Sequence, residues 1–168
     1  MTWAEAIADE TLRDLPYKIE LDVWGNVVMR PTSNQYRIVQ AEMALNLNQH
    51  HRDSEAGGLV SINSVIATSE GVKVADVVWL SAAFFARNEM ETPYKAAPDL
   101  CADIVSPSST KAEMALKRDL YLAKGAQEVW TCTLEGEVSF FNHRGEMARS
   151  NLFANFPSTL EGLPQRDQ

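Results

Sequence analysis

The chain has 168 residues, of which 45% are hydrophobic and 23% charged, and it carries a formal net charge of -8. This is the composition of one globular domain, long enough to bury roughly two thirds of its unfolded surface. The acidic balance argues against a general nucleic-acid coat, which draws on a basic face, and there is no apolar run of about 18 residues to span a membrane.

In chain order, residues 2–13 carry a helical pattern with Thr2 as N-cap. The start, Met1-Thr2-Trp3-Ala4-Glu5-Ala6, lacks the basic region and apolar core of a signal peptide. Tyr17 to Val23 alternates as a strand, and Trp24-Gly25-Asn26 turns it into Val27-Val28-Met29, a hairpin stopped by Pro31. From Asn34 to His51, Ile38, Met43, Ala44 and Leu47 predict an amphipathic helix, broken by Gly57-Gly58. Strands follow at 59–67 and 72–79, then a short helix at 81–88 and a loop with Pro93 and Pro98.

Leu100 to Val105 reads as a strand that Ser106-Pro107-Ser108-Ser109 leaves. Thr110 and Glu113 match a capping box that opens a helix to Lys124, ended by Gly125. A second hairpin joins 127–133 to 138–141 across Glu135-Gly136. The expected architecture is a mixed α+β domain over 1–162, with a mixed central sheet, helices packed on it and hairpins at both ends. Residues 163–168 form a loose tail. Cys101 and Cys132 lie in strand-like runs without CxxC spacing, so both are expected as reduced core thiols of a cytoplasmic protein.

Two aspartates break runs that otherwise suit strands covered on both faces. Asp76 interrupts Val72-Lys73-Val74-Ala75-Asp76-Val77-Val78-Trp79, and Asp103 interrupts Leu100-Cys101-Ala102-Asp103-Ile104-Val105. A buried carboxylate loses several kcal/mol of hydration unless a partner, a proton or a metal compensates. Two on neighbouring strands point to a built cation site. The strand rises about 3.3 Å per residue, which places Asp103 roughly 10 Å before Ser106. A helix packed back along it rises about 1.5 Å per residue, returning Lys117 roughly 10 Å from Thr110. Lys117 thus comes level with Asp103, beside an apolar stripe of Leu116, Leu120 and Ala123. Carboxylates and a lysine at one height suit metal-assisted phosphodiester hydrolysis, with Asp76 and Asp103 on Mg²⁺, for which Mn²⁺ can substitute.

The stretches Pro98 to Ser108, Lys117-Arg118-Asp119-Leu120-Tyr121 and Gly125 to Trp130 together resemble the Uma-type family of restriction endonucleases, in the PD-(D/E)XK nuclease superfamily. Tyr17 to Leu21 and Gly25 to Met29 resemble its opening hairpin, and Val74-Ala75-Asp76-Val77 its proline-aspartate strand. The resemblance implies a restriction-endonuclease-like core with Asp76 and Asp103 as metal ligands and Glu20 as a further acid. It also implies DNA as substrate and pairing into a homodimer. Lys117 would replace the lysine usual at the position of Val105, and Ala75 and Asp103 stand where proline and glutamate are common.

Other roles for these residues are open on the sequence alone. Asp76 and Asp103 can satisfy backbone amides at strand ends or pair with Lys73 or Lys117. Glu20 can be an exposed position of an alternating strand, and Glu113 is a helix-capping side chain. His50, His51 and His143 lack metal-ligand spacing. The rival function is a catalytically inactive interaction or oligomerisation module that keeps the nuclease fold, and a third is a small-molecule phosphodiesterase.

Overall fold

The computed structural model describes residues 1–164, so 165–168 of the expected tail lie outside the described residues. Leu163, at the start of that tail, is half-buried against the larger core cluster. Among the described residues, eight strands and four helices alternate as α1 (Trp3–Ala8), β1 (Tyr17–Leu21), β2 (Val27–Pro31), α2 (Asn34–Asp53), β3 (Leu59–Thr68), β4 (Gly71–Leu80), α3 (Ala82–Asn88), β5 (Leu100–Val105), α4 (Lys111–Ala123), β6 (Glu128–Thr133), β7 (Val138–Asn142) and β8 (Gly145–Met147). The helix starts are set by local chemistry. Thr2 and Thr110 each accept the backbone N–H three residues on, while Glu5 and Glu113 reach back to the cap, and Ser33 caps α2 in the simpler way.

The strands form one sheet in the order β2-β1-β4-β5-β6-β7-β8, with β3 pairing β4 from outside that path. The pairs are antiparallel except β5 with β6, where Leu100 lies beside Glu128 and Val105 beside Thr133. Parallel neighbours need a crossover, and α4 supplies it. The fold is therefore mixed α/β, with the β1–β2 hairpin at one end and the β6–β7–β8 meander at the other. One core cluster packs α2 (Val39, Met43, Leu47) against Val77, Trp79, Trp130 and Phe140. The second joins Val78, Cys101 and Val129 to Phe84 and Tyr121. Both cysteines are free and buried.

The structure departs from the sequence pattern where a polar side chain took an inward position. The first helix stops at Ala8 rather than residue 13. On α2 the inward face is Tyr36, Val39, Gln40, Met43 and Leu47, and Ile38 is half exposed. On α4, Leu120 is buried as the stripe predicts, but Leu116 and Ala123 face solvent, and Tyr121 and Leu122 are buried in their place. Lys117 sits one turn before Tyr121, so the lysine lies on the inward face rather than at its edge. Strand β8 was not legible in the sequence at all.

Candidate active site

The central strand is covered unevenly. On one side β3 accompanies β4 along its whole length. On the other, β5 covers Val77 to Trp79, and β1 meets β4 only where Leu21 lies opposite Val72. Between these contacts the sheet splits, and the main chain of β4 from about Val74 to Asp76 needs partners that no strand supplies.

Side chains fill the split. Val74 donates its N–H to Glu20 Oε1 at 2.9 Å, and its carbonyl accepts from Lys117 Nζ at 3.1 Å. Asp76 N–H donates to Asp103 Oδ1 at 3.3 Å, while Ile104 N–H donates to Asp76 Oδ2 at 2.7 Å. From α2, Gln40 Nε2 donates to the Asp76 carbonyl at 2.9 Å and to Asn63 Oδ1 at 2.8 Å. Tyr36 adds a side-chain hydrogen bond to Asp76. Glu20, Asp76 and Asp103 are thus brought together from β1, β4 and β5, each at most 5% exposed.

Two ammonium groups face the three carboxylates. Lys18 Nζ lies 3.0 Å from Asp76 Oδ1 and 3.5 Å from Asp103 Oδ1. Lys117 Nζ lies 2.9 Å from Glu20 Oε1 and 3.2 Å from Asp103 Oδ2. With Val74 as its third acceptor, Lys117 has used all three of its protons. Lys18 has used two. Burial is the largest single influence on each lysine and would favour the neutral form. The surrounding groups together outweigh it, Asp103 foremost, joined by Tyr121 and Glu20 at Lys117 and by Asp76 and Glu20 at Lys18, so both stay protonated.

The acids divide. Burial would raise the Glu20 carboxyl, yet Lys117 and Lys18 together hold it below its ordinary value. Asp103 is likewise buried, and contact with both lysines holds it down. Asp76 is pushed up, by burial and by the neighbouring Asp103 charge against the pull of Lys18. Two small openings reach this cluster. One, of about 40 Å³, is lined by Lys18, Arg30, Ser106, Ser109 and Lys117. The other, of about 310 Å³, is lined by Lys18, Tyr36, Arg37, Asn63 and Asp76.

Asp76, Asp103, Lys117 and Glu20, singled out in the sequence, therefore all meet at one point. The capping of strand amides by Asp76 and Asp103 also occurs, at the same place and at the same time. Lys73 goes elsewhere, to the Leu21 carbonyl at 3.4 Å. Glu113 caps α4 and also pairs with Arg30 at 3.0 Å. Lys18, Tyr36 and Gln40 also join the site without being singled out by the sequence pattern. Lys18 had a signal: it lies two residues before Glu20 on an alternating strand, so the two share a face. His51 is buried but spends its ring nitrogens on Gly57 and Asn48.

Carboxylate oxygens are the hard donors that Mg²⁺ selects, so the residue types fit such an ion. As arranged, however, every oxygen of Asp76 and Asp103 has a partner, and a single ammonium bridges the two groups. Among the described residues, no group of three or more His, Cys, Asp or Glu is arranged to hold a metal ion. The place where a cation would bridge Asp76 and Asp103 is taken by Lys18.

Comparison with known proteins bears on this geometry. A family model described as Uma2, putative restriction endonuclease, matches residues 9–165, which is most of the chain. The crystal structure of a putative nuclease belonging to DUF820 from Anabaena variabilis is similar, with a TM-score of 0.66 and 14% identity, over 84% of this chain and 86% of that one. At that identity the likeness is one of fold. No curated protein matches. No helix among the described residues is long and apolar enough to cross a membrane.

Proposed function

The chain belongs to the Uma2 family of putative restriction endonucleases, and from that membership we propose that it hydrolyses phosphodiester bonds in DNA at the split between β1, β4 and β5. The observation that carries the proposal is the convergence of three buried carboxylates and two lysines on main chain that the sheet leaves unpaired. A fold that needed only to cap those amides could use neutral side chains at far lower desolvation cost.

In this reading Asp76 and Asp103 would hold Mg²⁺, which would supply Lewis-acid charge at the reacting phosphate. The chain's own residues do the rest. Glu20 and Lys117 fix one another, and Lys117 in turn fixes Asp103, so Lys117 acts as a positioning residue. Gln40 and Tyr36 hold Asp76 from the α2 side. Lys18 and Arg30, which line the opening to the site, would face the phosphate. Water forms the new bond to phosphorus and gives up a proton to solvent, the bond to the leaving sugar oxygen breaks, and that oxygen takes up a proton from solvent. Cutting both strands of a duplex calls for two such sites, and we extend the proposal to a homodimer.

The test is cleavage of plasmid DNA with Mg²⁺ or Mn²⁺ by wild type and Asp76→Ala. Cleavage by the wild type that the variant lacks supports the proposal, and equal background with both removes it. The saturation of every Asp76 and Asp103 oxygen favours a second reading, a non-catalytic interaction module that keeps the fold. That reading expects no cleavage by either protein and no carboxylate-dependent heat on titration with Mn²⁺.

A further inference from the structure

Counted at formal charge the cluster does not cancel, because three carboxyl groups face only two ammonium groups in a buried site. If a divalent cation took the place of Lys18, the same three carboxylates would face it and Lys117 alone, and the cluster would be neutral. Burying net charge is costly, so the exchange is favoured electrostatically in the direction of the metal.

Geometry supports the same exchange. Lys18 Nζ touches one oxygen of each aspartate, at 3.0 and 3.5 Å, and so stands at the one point from which a cation reaches both. Lys117 cannot trade places in this way, since it holds Glu20, Asp103 and the Val74 carbonyl together and its loss would open the split. Lys18 also has somewhere to go. Its flexible side chain lines both openings, and the cavity of about 310 Å³ beside Tyr36 and Arg37 is large enough to receive a displaced ammonium.

We propose that Lys18 is a built-in cation that occupies the divalent-metal position between Asp76 and Asp103 and must be exchanged for the metal before the site is competent. Lys18 then limits metal affinity in the free protein. Once displaced, its ammonium lies at the mouth of the site, available to a phosphate oxygen. This inference rests on the reading of Asp76 and Asp103 as the metal ligands.

The test is isothermal titration of Mn²⁺ into wild type, Lys18→Met and Asp76→Asn. Methionine keeps the length and apolar stem of lysine without its charge. The expected result is at least tenfold tighter binding to Lys18→Met than to wild type, and none to Asp76→Asn. Equal Mn²⁺ affinity in wild type and Lys18→Met overturns the exchange while leaving the carboxylate site standing. Binding to none of the three removes the metal-site reading itself, and the exchange with it. A second measurement needs no variant. In the wild type, the Lys18 ε-methylene resonance should move to a solvent-exposed position as Mg²⁺ saturates the protein. A resonance that stays fixed at saturation overturns the exchange.

Discussion

Two places in the sheet bury carboxylates, and they are solved in opposite ways. At the start of β6, Glu128 is 2% exposed and accepts four hydrogen bonds. Trp130 Nε1 and Ser150 Oγ donate to Oε2 at 2.8 and 2.7 Å, and the Asn151 and Leu152 amides donate to Oε1 at 2.7 and 3.0 Å. Every partner is neutral and the result is to pin the segment after β8. In the split beside β4, the partners of Glu20, Asp76 and Asp103 include two lysines on elements distant in sequence. A neutral hydrogen-bond cage fits one occupant. A cage closed by ammonium groups can exchange its cation, which is what a working site requires.

The largest effect should come from breaking the structural cage. Glu128→Ala leaves several buried donors without a charged acceptor at about 1–3 kcal/mol each, so urea unfolding should show a loss of about 3–5 kcal/mol. Mn²⁺ binding should be unchanged in the folded fraction. Lys117→Met should cost about 3 kcal/mol by the same assay, because it strands Glu20 and Asp103 in the split. A loss under about 1 kcal/mol would mean that the split is wetter than its burial implies.

Asp76→Asn sharpens the contrast by going the other way. Asp76 is raised above its ordinary 3.8. An acid raised in the folded state contributes stability below its unfolded value, and that stability is lost as pH rises through the folded value. Ionising Asp76 therefore costs stability that asparagine never loses. The variant should be destabilised by at most about 1 kcal/mol, the net worth of a hydrogen bond. Its stability relative to wild type should improve as pH rises from about 3.8. A relative stability that falls over that range would place the carboxylate with the structural group. The smallest effect is expected at the rim, where Arg30→Ala removes a partly exposed pair worth at most about 1 kcal/mol.

The order of the main elements was readable because their signals are local: apolar runs for β4 and β5, the capping box for α4, the turn at Trp24-Gly25-Asn26. Asp76 and Asp103 were readable because acids interrupt those runs, and Lys117 because strand and helix rises fix its height. Lys18 and Gln40 were not, since a charged or amide side chain in an amphipathic pattern is indistinguishable from a solvated one until its partner is placed. The same blindness made Ile38 and Leu116 look inward. Glu128 escaped because it opens a strand, where a carboxylate normally meets water, and its donors come from 22 to 24 residues later for Ser150, Asn151 and Leu152.

The central claim is that the carboxylates in the split do chemistry on DNA. The most direct test is the rate of supercoiled plasmid nicking with Mg²⁺ by wild type and Asp103→Asn, at equal concentrations of folded protein. The account expects the variant to be slower by at least about 100-fold, the scale of losing a principal electrostatic group. Equal rates in the two proteins would contradict it.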